Sequence, residues 1–122
     1  MIIRNLTPNP IVWRRPDGTE KIFPVSGQPA RVVMGQRAAD PIIDADGEEI
    51  PVRETWTEPT VIGLPYRAEN TIIIVSRMVC DAMPDRDDLW TTGGIIRDDY
   101  GSIIAYRYLD HPVPAPVKSS EP

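Results

Sequence analysis

The fold of this chain follows from one segment, NTIIIVSRMVCDAMP at residues 70–84. The run from Thr71 to Val75 is β-branched at every position and does not alternate with polar residues, which predicts a strand buried on both faces. From Ser76 onward the pattern becomes helical, because Ser76 is a suitable N-cap, apolar residues recur at helical spacing and Pro84 ends the run. The segment therefore predicts a buried strand that leads directly into a short helix.

Outside this segment, 14 prolines and eight glycines divide the chain into short pieces. Pro16-Asp17-Gly18 and Asp98-Asp99-Tyr100-Gly101 are typical of turns between paired strands. The other predicted strands are residues 2–6, 11–14, 19–23, 30–34, 48–53, 60–64, 95–97 and 102–109. Many short strands and one short helix predict a β-rich α+β fold, a small barrel or a rolled antiparallel sheet in which the helix closes an opening.

The length of 122 residues fits one domain. We expect a single globular domain over residues 1–110 and a Pro-rich, extended and flexible tail over residues 111–122. The chain has one cysteine, Cys80, and one histidine, His111, so neither an internal disulfide nor a zinc site of Cys/His type is expected. Cys80 is expected to be buried and inert within the short helix.

The charge balance limits the classes of partner. The formal net charge is −5, which argues against general nucleic-acid binding, because such binding needs clustered cations. The longest apolar run, residues 72–75, is far too short to cross a membrane, and the first residues lack the apolar stretch of a signal peptide. A cytoplasmic protein that does not bind membranes is therefore expected. All basic residues except Lys21 and Lys118 are arginines, which suit carboxylates and phosphates.

Four segments carry a resemblance to known proteins: RNLTPNP at residues 4–10, residues 26–32, the strand of residues 71–77 followed by PDRDDL at residues 84–89, and residues 96–104. They are similar to segments of a family of small bacterial and tailed-phage proteins without an established activity. In that family a His often stands where this chain has Asn9. The resemblance implies a phage or prophage origin, and hence the cytoplasm of a bacterial host. By analogy with other small phage proteins, it implies sequestration of a nucleotide messenger of host defence.

The junction between the buried strand and the helix is the first candidate site. The free N–H groups at a helix start favour an anion, Ser76 adds a hydroxyl, and Arg77 adds a planar fork for a phosphate. Arg86, just past the helix, is close enough in sequence to reach the same region. The alternative is that Ser76 only caps its helix and both arginines pair with neighbouring carboxylates, those of Asp81, Asp85 or Asp87.

Acidic side chains form the second candidate group. The carboxylates of Asp85-Arg86-Asp87-Asp88 can hold a divalent metal or act as an acid–base pair. The alternative is that one caps a turn, one pairs with Arg86 and the rest are solvated. The Asp-rich loop beginning at Asp44 fails the EF-hand pattern, because its twelfth position is Thr55 rather than Glu. Neither a cofactor nor a metal is expected.

Aromatic residues in polar segments form the third candidate group. Trp56 and Trp90 suit base stacking or a protein interface, and the alternative is that both pack beneath loops. In Tyr106-Arg107-Tyr108 the two tyrosines are expected on one face of a strand and Arg107 on the other. The tyrosine face is suited to a subunit contact.

These features lead to three hypotheses. The first is a non-enzymatic protein that binds a small anionic, nucleotide-like ligand through Ser76, Arg77, Arg86, Trp56 and Trp90. The second is a protein-interaction module or phage structural accessory protein that docks on a protein partner through edge strands and exposed tryptophans. The third is a metal-assisted hydrolase built on the acidic cluster. A homo-oligomer that covers apolar edge strands is compatible with all three.

Overall fold

The computed structural model describes residues 1–116, which form ten strands and one helix. The strands are β1 (Ile2–Asn5), β2 (Ile11–Arg14), β3 (Glu20–Phe23), β4 (Arg31–Val33), β5 (Gln36–Ile43), β6 (Glu49–Thr55), β7 (Thr60–Ile62), β8 (Thr71–Ile74), β9 (Leu89–Arg97) and β10 (Ile103–Asp110), and the helix α1 is Arg77–Ala82. Strands make up 47% and the helix 5%, which confirms the predicted β-rich fold with one short helix. Of the predicted tail, residues 117–122 lie outside the described residues. Within residues 1–116 no helix is long and apolar enough to cross a membrane.

Six strands form the main sheet, in the order β1-β8-β9-β10-β2-β3. The sheet is mixed, because β1, β8 and β9 run parallel to one another while β9 and β10, and β2 and β3, are antiparallel pairs. β10 and β2 are parallel and pair at one position, where Tyr106 lies opposite Trp13. The sheet is therefore only weakly joined between these two strands.

The two outer strands of the sheet approach each other, so the sheet is rolled. Val25, just after β3, forms a parallel bridge with Asn5 at the end of β1. The side-chain amide of Asn5 donates to the carbonyl oxygens of Asn9 at 2.9 Å and Phe23 at 3.0 Å, and its Oδ1 accepts from the N–H and hydroxyl of Thr7. Because Asn5 is 1% exposed, all four hydrogen-bonding positions of its amide are satisfied by protein groups that join β1, β3 and the loop between β1 and β2.

The main core lies where β8 and α1 face the small sheet formed by β4 and β7. Its buried members are Leu6, Ala30, Ile73, Val75, Val79, Cys80 and Leu89. Ile74 is on the opposite face of β8 and is fully buried there. The prediction that this strand is buried on both faces is thus confirmed at Ile73, Ile74 and Val75, whereas its first half is only partly buried.

A third sheet consists of β5 and β6 alone; we call residues 36–55 the arm. The sequence predicts the strand at 48–53 but not the one at 36–43, which is polar in its first half and contains Pro41. A bulge between Ala39 and Ile42 accommodates Pro41 outside the regular ladder. The sequence of the arm therefore lacks the regular alternation of apolar and polar residues that is typical of a sheet with one covered face.

Candidate functional site

The predicted anion site at the strand–helix junction is only partly assembled. Ser76 caps α1, since its Oγ accepts from the Val79 N–H at 3.4 Å. Arg77 donates through Nε to Asp81 at 2.9 Å, one helical turn further on. This contact raises the pKa of the Arg77 guanidinium. Ser76 and Arg77 do line a common cleft of about 320 Å³, which also includes residues 7–11.

Arg86 lies in a different environment from Arg77. Its guanidinium makes two hydrogen bonds to the Asp88 carboxylate, at 2.8 and 2.9 Å, and a third to the Pro65 carbonyl oxygen at 3.1 Å. The two side chains are 17% and 8% exposed. The hydrogen bonds from Arg86 hold the pKa of Asp88 below its usual value, and the same contact raises the pKa of Arg86. Arg86 thus serves a buried ion pair, with a partner other than Asp85 or Asp87.

Trp56 and Trp90 also lie apart from each other. Trp56 stands at the base of the arm, where its ring packs so closely on Gly35 that a Cβ there would lie 2.9 Å from Cε3. Trp90 stacks on His111, with the ring centroids 4.1 Å apart and the planes 12° from parallel. His111 Nε2 is also 2.8 Å from the carbonyl oxygen of Asp87, so the chain is anchored at the start of its Pro-rich segment.

The acidic cluster is distributed among separate contacts. Asp88 pairs with Arg86, and Asp87 pairs with Arg67 at 2.7 Å. In the described part of the chain, no three His, Cys, Asp or Glu residues are grouped so that they could hold a metal ion. Cys80 is buried as predicted, and burial raises the pKa of its thiol.

A better-formed cavity lies at the weak junction between β10 and β2. We call it the aromatic cavity; its volume is about 350 Å³, within the usual range for a small-molecule site. Its lining comes from β1, β2, β3 and β10 and consists of Ile3, Ile11, Trp13, Phe23, Tyr106, Arg107, Tyr108 and Leu109. Four of these eight residues are aromatic and Arg107 is the single charged one, while the wall of the cavity is almost wholly apolar.

Two contacts fix the positions of residues that line this cavity. The indole Nε1 of Trp13 donates to the carbonyl oxygen of Arg107 at 3.0 Å, which ties β2 to β10 by a side chain where ladder bonds are few. The ring of Tyr108 on β10 lies directly over Gly93 on the neighbouring strand β9. A Cβ added at Gly93 would come within 2.9 Å of Tyr108 Cδ2. Because Gly93 has no side chain, the ring of Tyr108 can lie over it in the orientation seen in the cavity.

Three arginines lie together in a cleft that neighbours the aromatic cavity. Arg14, Arg15 and Arg107 line an adjoining cleft of about 360 Å³, and Arg107 belongs to both spaces. The Arg15 guanidinium lies 5.4 Å from the centroid of the Trp13 ring. Arg14 is paired with Glu20 at 2.9 Å. Arg107 has no carboxylate within 4 Å among residues 1–116. We call this second space the arginine cleft.

We expect Gly93→Ala to lower the free energy of unfolding by about 1–3 kcal/mol, the usual cost of forcing an extra carbon into an occupied space. The cost should nearly vanish when Gly93→Ala is made together with Tyr108→Ala, because the obstructing ring is then gone. Urea unfolding of the four proteins measures this coupling. An equal cost of Gly93→Ala in both backgrounds would show that the Tyr108 ring does not occupy the space over Gly93.

The sequence indicates part of this site. The alternation in Tyr106-Arg107-Tyr108 places the two tyrosines together, and both line the aromatic cavity. Trp13 and Phe23 give no such signal, because their proximity to these tyrosines depends on the pairing of β2 with β10 and β3. Comparison with family models, curated proteins and solved structures gives no match for the chain.

Proposed function

We propose that this protein binds a small anionic, nucleotide-like ligand and does not transform it chemically. The observation that carries the proposal is that the aromatic cavity and the arginine cleft share Arg107, while Arg15 of the cleft lies 5.4 Å from the ring centroid of Trp13 in the cavity. A nucleotide has one flat ring system and one phosphate group, and these two adjoining spaces offer stacking surfaces to the first and guanidinium groups to the second.

The ring would enter between aromatic side chains that are only partly buried. Trp13, Phe23 and Tyr106 are of intermediate exposure and Tyr108 is exposed. Desolvation of these rings favours a flat apolar group, and offset stacking adds about 0.5–1.5 kcal/mol for each ring beyond the burial of its area. The cavity therefore suits a base or a similar heterocycle.

The anion would be held mainly by Arg107. Arg14 already shares its charge with Glu20, and Arg15 donates to Thr19 Oγ1 at 3.1 Å. Among residues 1–116, Arg107 is the member of this trio whose guanidinium makes neither an ion pair nor a hydrogen bond with another side chain. An unpaired guanidinium in the arginine cleft can bind an anion without first breaking a contact within the protein.

The site residues proposed here differ from those predicted from the sequence, while the ligand class is the same. The contacts of Arg77 with Asp81 and of Arg86 with Asp88 occupy the two guanidinium groups that the sequence predicts as anion ligands. We propose sequestration of a nucleotide messenger within a phage-infected bacterium as the biological role. The resemblance supports a phage origin, and the role itself follows by analogy with other small phage proteins.

Native mass spectrometry of the protein purified from cells tests the proposal directly. A bound species that is released on denaturation and has the mass of a nucleotide is the expected result. The protein should be isolated from infected cells as well as uninfected ones, so that a ligand made only during infection is also detected. Protein that carries no small molecule under either condition, and that takes up none from a nucleotide mixture, would contradict the proposal.

Two fluorescent probes test the roles of the two spaces separately. 8-Anilinonaphthalene-1-sulfonate and N-phenyl-1-naphthylamine share one ring system, and only the first carries an anion. We expect Arg107→Gln to weaken binding of the sulfonate about tenfold, equivalent to about 1.4 kcal/mol, and to leave the neutral probe within a factor of two. Tyr108→Ala should weaken both probes.

Arg97→Gln is the matched control for this titration, since Arg97 is exposed and donates to the Gly101 carbonyl oxygen in the turn after β9. It removes the same charge from the neighbouring strand and should change neither dissociation constant. If Arg97→Gln and Arg107→Gln weaken the sulfonate probe equally, the effect is one of overall charge and the arginine cleft is not the anion site.

A further inference from the structure

The arm has an apolar face that no other strand of the described chain covers. In its ladder Ile42 lies opposite Ile50, and Ala39 lies opposite Val52. Directly opposed residues of an antiparallel pair point to the same side, as do Ile50 and Val52 two positions apart. These four side chains therefore form one row, which we call the arm face; Ile42 is 59% and Ile50 47% exposed.

This apolar face is costly for an isolated strand pair. A two-stranded hairpin is only marginally stable in water unless its apolar face is packed against another surface. The arm forms its extensive strand contacts within itself, and its base is held by the Arg37–Glu54 ion pair and by the hydrogen bond from Trp56 N–H to the Gly35 carbonyl oxygen. A partner that covers the arm face would therefore also stabilise the arm.

The edges of the arm are poorly suited to such a partner. β5 contains Pro41 beside a bulge, and β6 contains Pro51. Proline lacks an N–H and interrupts the ladder that an added strand would need. Each edge of the arm therefore offers an interrupted row of N–H groups, and the arm face is the better surface for a partner.

Charge is distributed unevenly along the arm. The end near the loop, residues 40–49, carries five carboxylates and no basic residue, whereas the base carries Arg37 and Arg53 against the single carboxylate of Glu54. Two copies packed side by side in the same direction would bring their acidic ends together. Two copies packed in opposite directions would place each acidic end beside the basic end of the other.

We infer that the arm is a self-association surface, on which two copies of this chain pack face to face and antiparallel through Ile42, Ile50 and Val52. A two-fold axis relates the copies, so each residue meets its counterpart or a symmetric partner. The surface of one strand pair is smaller than the roughly 800 Å² per partner of a standard interface, so the dimer is weak and depends on protein concentration. This inference uses neither the aromatic cavity nor the arginine cleft.

Sedimentation velocity of the full chain over a hundredfold range of concentration tests the inference. The native protein should shift from monomer to dimer, and Ile50→Asp should raise the dimer dissociation constant about tenfold or more, because a charge would then be buried at the centre of the contact. Ile43→Asp is the matched control, since Ile43 lies on the opposite side of the same strand pair and is 64% exposed. It should change the dissociation constant less than twofold.

The direction of packing is tested by removing charge at the acidic end. The double change Asp46→Asn and Glu48→Gln should weaken an antiparallel dimer, because it removes attraction to Arg37 and Arg53 of the second copy. The same change would strengthen a parallel dimer. A protein that stays monomeric throughout, equal effects of Ile43→Asp and Ile50→Asp, or a dimer that strengthens when Asp46 and Glu48 are neutralised would each overturn the inference.

Discussion

Replacement of Asn5 by Asp is expected to lower the free energy of unfolding by about 3–5 kcal/mol at neutral pH, the cost of a buried charge that has no counter-charge. The Asn5 amide faces two carbonyl oxygens, those of Asn9 and Phe23. A carboxylate cannot donate to either, and it would repel both while remaining almost fully buried. The substitution changes few atoms, so the loss would come from hydrogen bonding and charge rather than from packing.

The pH dependence of this variant gives a second signature. Burial beside two carbonyl oxygens raises the pKa of the new carboxyl above its unfolded value, so the folded variant binds a proton more readily than the unfolded chain. The loss in free energy of unfolding of Asn5→Asp relative to the native protein is therefore largest well above the unfolded pKa of about 3.9. This loss shrinks as the pH falls. Urea unfolding at several pH values measures both effects.

Asn9→Asp is the matched control for Asn5→Asp. It adds the same charge on the loop between β1 and β2, but at an exposed side chain, and Asn9 contributes only its backbone carbonyl to the contact with Asn5. We expect a change of less than about 0.5 kcal/mol. Similar losses for the two variants would mean that the hydrogen bonds of Asn5 do not hold the rolled sheet closed.

Removal of the Asp88 carboxylate is the second change with a large expected effect. Asp88→Asn should lower the free energy of unfolding by about 3 kcal/mol, because the mostly buried Arg86 guanidinium loses its counter-charge. The hydrogen bond to the Pro65 carbonyl oxygen remains but carries no full charge. Asp87→Asn removes a neighbouring carboxylate that is 77% exposed and paired with Arg67, and it should cost less than about 1 kcal/mol. Thermal or urea unfolding of both variants distinguishes them.

The ion pair between Arg86 and Asp88 also makes the stability of the native protein depend on pH in the acid range. Arg86 lowers the folded pKa of Asp88, so the stabilisation is fully present above the unfolded pKa of about 3.9. It is lost as the pH falls through the lower folded value. The difference in stability between the native protein and Asp88→Asn should therefore narrow below about pH 4. A difference that stays constant down to pH 2 would contradict the assignment of Asp88 as the ionised partner.

The sequence predicts local structure well where the pattern has one physical cause. The β-branched run at residues 71–75 and the cap at Ser76 require no knowledge of partners, and both are found as predicted. The strand at 36–43 is not predicted, because neither face of this strand is packed against a core, and its apolar and polar residues therefore do not alternate. Arg86 illustrates a second limit, since sequence proximity alone does not show which of three nearby carboxylates its side chain faces.

The candidate site is harder to predict, because its residues meet only through long-range pairing. Trp13, Phe23 and Tyr106 belong to three strands. The sequence predicts only one of the pairings between them, that of β2 with β3 through the turn at Pro16-Asp17-Gly18. Arg107 lies between two tyrosines in the sequence, yet its proposed role depends on the absence of a carboxylate near its guanidinium among residues 1–116. Such an absence has no sequence signal.

The strand order also determines how this chain can fold during synthesis. The pairs β2–β3 and β5–β6 join neighbouring segments and can form as soon as each leaves the ribosome. β1 must wait for β8, and β2 must wait for β10, its parallel neighbour. Loop closure over such distances is slow, so β1 remains exposed to wrong partners until β8 has emerged, and one edge of β2 remains exposed until the last strand, β10, has emerged. Chaperone dependence and the yield of the folded protein should therefore be governed by the arrival of residues 103–110, long after the hairpins have formed.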